Sequence, residues 1–107
     1  MNHGLTSEQL RLIQSVLAPY ADSIEQVSLF GSRAMGTYRP DSDIDLVLHG
    51  DIPEASISRL HTLFQESALP VSVDVKSYEH TTYPPLRQHM NECMQPLFNR
   101  RQLQRYS

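Results

Sequence analysis

Two short segments of the chain alternate apolar and polar residues with a period of two, which is the pattern of half-buried β-strands. In the first, DIDLVL, three aliphatic residues share one face while Asp43 and Asp45 share the other. In the second, VSVDVK, three valines share one face, and a serine, Asp74 and a lysine share the other. These strands require a sheet with one apolar face, and its opposite face carries carboxylates.

The segments around these strands have helical or strand patterns of their own. Thr6 and Gln9 have the spacing of a capping box, and apolar residues then recur at helical spacing until Pro19. The predicted order is helix (7–18), strand (26–30), strand (43–48), helix (ending before Pro70), strand (71–76) and helix (from Pro84, with Leu97 inward). We therefore predict an α/β or α+β fold, with a small mixed three-stranded sheet flanked by helices.

The chain length fits one domain. Its 107 residues lie within the range of about 50 to 250 residues of globular domains, so we predict one domain over 1–107. The single cysteine, Cys93, excludes an internal disulfide. No apolar run reaches the roughly 18 residues of a membrane span, and the N-terminus lacks the pattern of an export signal. We expect a soluble, cytoplasmic protein without membrane contacts.

The charge distribution bears on the choice of partners. The net charge of -3 disfavours binding to long nucleic acids, which depends on clustered basic residues. Residues 87–107 nevertheless contain four arginines and only one acidic residue. We predict a basic C-terminal tail over 99–107, which is either a solvated chain end or a docking segment for a partner.

The acidic faces of the two alternating strands predict a metal site. Asp43 and Asp45 are two residues apart, so their side chains start roughly 6.5 to 7 Å apart on the same face. If the strand that carries Asp74 is a neighbour, three carboxylates converge. Carboxylate oxygens suit Mg²⁺, and paired metal ions stabilise both the attacking and the leaving oxygen of a phosphoryl displacement.

A second motif lies at the end of the strand over 26–30. Gly31 allows close approach of the backbone to an anion, Ser32 adds a hydroxyl group, and Arg33 offers a guanidinium group suited to phosphate. We therefore predict that these three residues bind a phosphate group. Ten residues separate Ser32 from Asp43, which gives the string Gly-Ser, ten residues, Asp-any-Asp.

This string resembles the signature of the DNA polymerase β-like nucleotidyltransferase superfamily. The short chain is similar to the minimal nucleotidyltransferases, the MNT proteins that are encoded beside helical HEPN partners, and the likeness covers about residues 24 to 98. It implies a palm-like nucleotidyltransferase fold. It also implies that Gly31 and Ser32 hold a triphosphate, that Asp43 and Asp45 bind two Mg²⁺ ions, and that a third carboxylate, Asp74 by its strand position, helps to activate the acceptor hydroxyl.

The resemblance further implies a reaction and a partner. A Mg²⁺-dependent nucleotidyltransferase of this kind moves AMP from ATP to a tyrosine of a HEPN-type toxin and so acts as an antitoxin. Two alternatives stay open: a catalytic subunit that modifies a small molecule, and a non-catalytic antitoxin that acts by binding. Members often carry a basic residue where this chain has Met35, so the phosphate contact from that position is open as well.

Other interpretations of these residues are weaker. An EF-hand starting at Asp41 would place Leu46 at the glycine position and Ile52 at the glutamate position. A P-loop would place Thr37 where its lysine belongs. The alternative to a metal site is that the aspartates lie on a solvent-exposed strand face and bind no ligand. The five histidines lack zinc-ligand spacing, and for His61 we expect a structural hydrogen bond.

Overall fold

The computed structural model describes residues 3–106, which form one four-stranded mixed sheet with helices on both faces. The strand order is β3-β2-β1-β4. The helices are α1 (Ser7–Leu17), α2 (Gly31–Met35), α3 (Glu54–Gln65), α4 (Pro84–Cys93) and α5 (Arg100–Tyr106), with a 3-10 helix over Ala18–Ser23; the strands are β1 (Gln26–Phe30), β2 (Ile44–His49), β3 (Val73–Ser77) and β4 (Gln95–Asn99). The predicted fold class is confirmed.

Strand β1 lies at the centre of the sheet and pairs antiparallel with both β2 and β4. Strand β2 pairs in parallel with β3, the edge strand on its other side. A parallel pair needs a crossover connection, and α3 supplies it. The two acidic strands are thus neighbours, which is the condition for the carboxylates to converge.

The main core lies on the apolar face of the sheet, under α1, α3 and α5. The capping box of Thr6 and Gln9 starts α1, as predicted. The alternating aliphatic residues of β2 are fully buried there. The core side chains with no exposed surface come from all parts of the chain: Ile13, Leu17, Ile24, Val27, Leu29, Ile44, Leu46, Leu48, Ile52, Leu60 and Leu103.

The opposite face of the sheet is covered in part by α4. The Met90 side chain of this helix is fully buried. The ring of His89 meets the ring of Phe30 edge to face, with centroids 5.3 Å apart. Further along, the Arg87 guanidinium lies 4.2 Å from the centroid of the Tyr78 ring. This face carries the acidic residues, so α4 forms one side of their surroundings.

The prediction of three strands is wrong, because residues 95–99 form β4. The sequence pattern predicts a last helix with Leu97 on its inner face, but that helix ends at Cys93. Pro96 lacks an amide hydrogen, so it is disfavoured inside a helix and tolerated in an edge strand, and β4 is an edge strand. The pairing of β4 with β1 shifts register between Val27 and Ser28.

Two other segments differ from their predicted form. Within the predicted tail, residues 100–106 form helix α5, and Leu103 anchors this helix in the core. The Arg100 side chain donates a hydrogen bond to the Ile24 carbonyl oxygen at 3.0 Å. Helix α3 ends at Gln65, earlier than the predicted end before Pro70. No helix in the described range is long and apolar enough to span a bilayer.

Candidate active site

Three side chains form a row across β1, β2 and β3 on the face away from the main core. Phe30 pairs in register with Asp45, and Asp45 pairs in register with Asp74. Register partners project to the same side of a sheet, and their strands lie about 4.7 to 4.9 Å apart. The carboxylates of Asp45 and Asp74 are therefore adjacent.

Gly31 places the main chain directly against the Asp45 carboxylate. It has a φ of 69°, and a Cβ atom built on it would lie 2.5 Å from Asp45 Oδ2. Real Cβ atoms do not approach an oxygen that closely, so a side chain here would displace the carboxylate. Only glycine supplies both the backbone conformation and the room. The turn that the sequence predicts to bind phosphate thus touches the carboxylate that it predicts to bind metal.

Helix α2 is a single turn that starts at Gly31. It ends at Met35 and is capped by Gly36, which has a φ of 79° in the left-handed region. The Ser32 carbonyl oxygen accepts the Gly36 N–H and also the Thr37 N–H, the latter at 3.0 Å. This closing pattern is common at helix C-termini. It fixes Ser32 beside the adjacent carboxylates of Asp45 and Asp74, which we call the acidic row.

The Arg33 side chain does not face solvent, although the sequence predicts that it binds phosphate. It is 3% exposed. Its Nε and Nη2 donate to the Ser42 carbonyl oxygen at 3.3 and 3.0 Å, and Nη1 donates to the His3 carbonyl oxygen at 3.0 Å. The guanidinium also lies 5.3 Å from the centroid of the Tyr38 ring. In this conformation Arg33 therefore ties together the segments around the turn, and its contact with a phosphate stays a prediction.

The carboxylates influence one another electrostatically. Burial raises the pKa of the half-buried Asp45, the ammonium of Lys76 opposes this rise, and the carboxylates of Asp74 and Asp43 add to it. Asp43 is exposed and immediately precedes β2. The ionised form of Asp45 is thus disfavoured by its surroundings, which is the condition that a bound cation relieves.

Asp74 has two basic neighbours. The Lys76 ammonium is in direct contact with its Oδ2 atom. On the other side, Nε2 of His61 lies 3.9 Å from Oδ1. Lys76 is an additional residue of the candidate site that no sequence motif indicates, although the period of two places it on the same face as Asp74.

His61 comes from α3 and covers the free edge of β3. Depending on its tautomer, Nε2 donates to the Val75 carbonyl oxygen at 2.8 Å or accepts from the Val75 N–H at 3.3 Å. An edge strand leaves such backbone groups unpaired, so His61 satisfies part of this edge and fixes the position of Asp74. The expected structural hydrogen bond of His61 is confirmed.

In the conformation described for residues 3–106, no three His, Cys, Asp or Glu side chains are close enough together to hold a metal ion. The donor set nevertheless fits a hard cation, because Asp45 and Asp74 are adjacent carboxylates and Asp43 is near enough to affect Asp45. The metal site stays a prediction.

Comparison with known proteins identifies the family. Two similar crystal structures are a toxin–antitoxin with AMP-PNP (TM-score 0.68, 21% identity, 89% of this chain and 80% of that chain) and the toxin–antitoxin MntA-HepT (TM-score 0.64, 18% identity, 94% and 78%). At these identities the likeness establishes the fold. No curated protein matches in sequence. Residues 12–103 match the family model described as Polymerase beta, Nucleotidyltransferase, and the chain therefore belongs to this nucleotidyltransferase family.

Proposed function

We propose that the chain transfers AMP from ATP to a hydroxyl group of a protein partner. The acceptor oxygen attacks the α-phosphorus, the bond from that phosphorus to the bridging oxygen of the β-phosphate breaks, and pyrophosphate leaves. The acceptor proton passes to a carboxylate, and Asp74 is the candidate base. The observation that carries this proposal is the contact of the Gly31 turn with Asp45, whose neighbour in the sheet is Asp74.

Asp43, Asp45 and Asp74 are the residues that would hold Mg²⁺, as two ions. When bound, Mg²⁺ neutralises phosphate charge and stabilises the attacking and leaving oxygens. The protein contributes a carboxylate, Asp45, whose pKa is raised by burial and by the neighbouring acids. A cation at this position offsets the unfavourable burial of the negative charge on Asp45. The site therefore favours binding of a cation.

The triphosphate would lie against the turn formed by Gly31 and Ser32. Gly31 presents its backbone without a side chain, and the Ser32 hydroxyl is at the start of α2. Arg33 holds this turn through backbone carbonyl groups, so its contribution is to position the turn. Positioning is the main requirement of phosphoryl transfer, since the protein has little covalent chemistry to perform.

The partner that we propose is a helical HEPN-type toxin, with a tyrosine as acceptor. The named toxin–antitoxin structures share the fold of this chain, which supports an antitoxin role. Among the residues whose exposure the structure describes, Met35 in α2 (55% exposed) and Tyr83 directly before α4 (67% exposed) are large apolar side chains on the surface. These helices contact each other next to the acidic row, so a partner that packs there would exclude water from the reaction.

Transfer of a radioactive label tests the proposal. We would purify the chain together with the helical protein that its neighbouring gene encodes, and add Mg²⁺ with α-labelled ATP or, as a control, γ-labelled ATP. The partner should gain label from α-labelled ATP alone, and changing its acceptor tyrosine to phenylalanine should abolish labelling. Asp45→Asn should lower the rate at least about 100-fold.

Asp51→Asn is the matched control for this experiment. It removes one negative charge from an exposed position just beyond the far end of β2, and it should leave the transfer rate unchanged. Label on a small molecule instead of the partner would favour the antibiotic-type alternative. Binding of the partner without any transfer of label would favour a non-catalytic antitoxin and contradict the proposed reaction.

A further inference from the structure

Lys76 has an unusual position for a basic residue of this chain. The chain has nine Lys and Arg residues, and Lys76 is the only lysine among them. It is in β3 on the same face as Asp74, and its register partner in β2 is Val47, which is fully buried. The stem of Lys76 thus starts beside a buried apolar residue, while its ammonium contacts the Asp74 carboxylate.

The ammonium acts on both adjacent acids. It contacts Oδ2 of Asp74, and Asp74 is the register partner of Asp45 in the neighbouring strand, so one positive charge lies beside two adjacent carboxylates. Two neighbouring carboxylates repel each other unless a cation lies between or beside them. In the metal-free chain, Lys76 is a cation that the protein itself supplies to this pair.

The same contact is easily broken. The side chains of Lys76 and Asp74 are 37% and 41% exposed, and ion pairs at such positions contribute little because water and salt screen them. Lysine carries a point charge on a flexible stem of four carbons, which can move away without a change in the backbone. A divalent cation and the ammonium cannot both occupy the same face of one carboxylate.

We propose that Lys76 is a built-in competitor of the divalent metal ion for Asp74. Its ammonium takes the place of a metal in the free chain and leaves the carboxylate when the metal binds. This inference rests on the proposed function, because it assumes that the metal binds at Asp45 and Asp74. It assigns Lys76 a positioning role that sets the metal affinity of the site.

The sign of the expected change separates competition from a structural role. A residue that only supports the strand would, when replaced, weaken metal binding together with stability. A competitor, when replaced by a neutral side chain, lowers the stability of the metal-free chain but tightens metal binding. Lys76→Met keeps an unbranched stem and removes the charge, so we expect it to bind Mg²⁺ about fivefold more tightly.

The test is a calorimetric titration of each variant with Mg²⁺ in the absence of nucleotide, which gives the dissociation constant for Mg²⁺. Lys76→Arg keeps the charge and should bind Mg²⁺ within about twofold of the wild-type chain. Arg87→Met is the matched control, because it removes one positive charge on the same side of the sheet from a side chain that lies over the Tyr78 ring. It should leave Mg²⁺ affinity unchanged.

Amine labelling supplies a second measurement. N-hydroxysuccinimide acetate acetylates exposed amines. Because the chain has one lysine, the rate of acetylation of the Lys76 peptide, measured by mass spectrometry, reports directly on the accessibility of its amine. Mg²⁺ should increase the labelling rate of Lys76, with a midpoint equal to the dissociation constant from calorimetry. Asp45→Asn should weaken both responses.

The outcomes distinguish this inference from the proposed function. If the wild-type chain binds Mg²⁺ in a manner sensitive to Asp45→Asn, but Lys76→Met binds it equally or more weakly, the competitor role is overturned and the metal site stands. If the wild-type chain binds no Mg²⁺, or binds it equally well with Asp45→Asn, both the metal site and the competitor role are overturned. Tighter binding by Lys76→Met with faster labelling in Mg²⁺ supports the inference.

Discussion

The two faces of β2 have opposite environments, although their residues alternate along one short strand. Ile44, Leu46 and Leu48 are fully buried in the main core. Asp45 lies on the other face, half-buried beside further charges, and its pKa is raised by its surroundings. The first face therefore supplies most of the apolar burial of this strand, whereas the second carries, next to the buried Val47, charged groups that folding alone does not favour. Such a division leaves the acidic face free to serve a ligand.

Replacing adjacent residues of β2 tests this division most strongly. Leu46→Ala should lower the free energy of unfolding by about 2 to 5 kcal/mol, because it leaves a cavity in the core. Asp45→Asn should leave it unchanged or slightly higher, because it removes carboxylate repulsion at low cost in volume. Urea denaturation of the metal-free chain measures both values.

The contrast between these two variants is the critical result. Asp43→Asn combined with Asp45→Asn should also fold, as judged by circular dichroism, while losing Mg²⁺-dependent transfer. If Asp45→Asn destabilised the chain as much as Leu46→Ala does, both faces would be structural, and the acidic face would not be a ligand site.

Two glycines sharpen the comparison at the edge of the acidic face. Gly31 and Gly36 both have positive φ, at 69° and 79°, so alanine at either position should cost roughly 1 to 2 kcal/mol. A Cβ atom at Gly31 would meet Asp45 Oδ2, whereas one at Gly36 would lie within 4 Å of no described residue other than its neighbours in the chain. Gly31→Ala should therefore lower the transfer rate about 100-fold more than Gly36→Ala does, because it shifts the carboxylate.

Thermal melting and transfer assays on the two glycine variants separate strain from contact. Similar melting temperatures with very different rates would support the close approach of the turn to Asp45. Equal loss of rate in both variants would contradict it, since the only shared change is backbone strain.

Local patterns in the sequence were sufficient for most of the fold. The alternation in β2 and β3 and the capping box at Thr6 predict elements that the structure confirms. Strand β4 was missed because it pairs with β1, far away in sequence, and because Leu97 and Pro96 continue the apparent pattern of the preceding helix. Pairing at such separations leaves no local signal.

The positions of the acidic residues could also be predicted from local sequence patterns. The contacts of the side chains around them could not. Period two placed Asp45 and Asp74 on polar faces, and the parallel register then made them neighbours. The burial of Arg33 depends on carbonyl groups of Ser42 and His3, which no spacing rule relates to it. Lys76 had a signal, namely its shared face with Asp74, but its contact follows only from the folded side chains.

The smallest expected effect concerns His49, at the opposite end of β2 from Asp45. Its ring stacks on Tyr78 with centroids 4.8 Å apart, and Nε2 lies 3.3 Å from the buried Ser28 hydroxyl. Burial lowers the pKa of His49, and Glu79 and Glu25 oppose this only in part. As the pH falls through about 6.5, the unfolded chain takes up a proton that the folded chain resists, so stability falls.

Replacing His49 should therefore flatten part of the pH dependence of stability. We expect the melting temperature of His49→Gln to fall less than that of the wild-type chain between about pH 7.5 and about pH 5.5. His80→Gln, at an exposed position, should keep the wild-type profile. A steeper fall for His49→Gln would mean that protonated His49 stabilises the fold. In that case Glu25 and Glu79 would outweigh burial, and this end of the face would resemble the acidic end in accommodating charge.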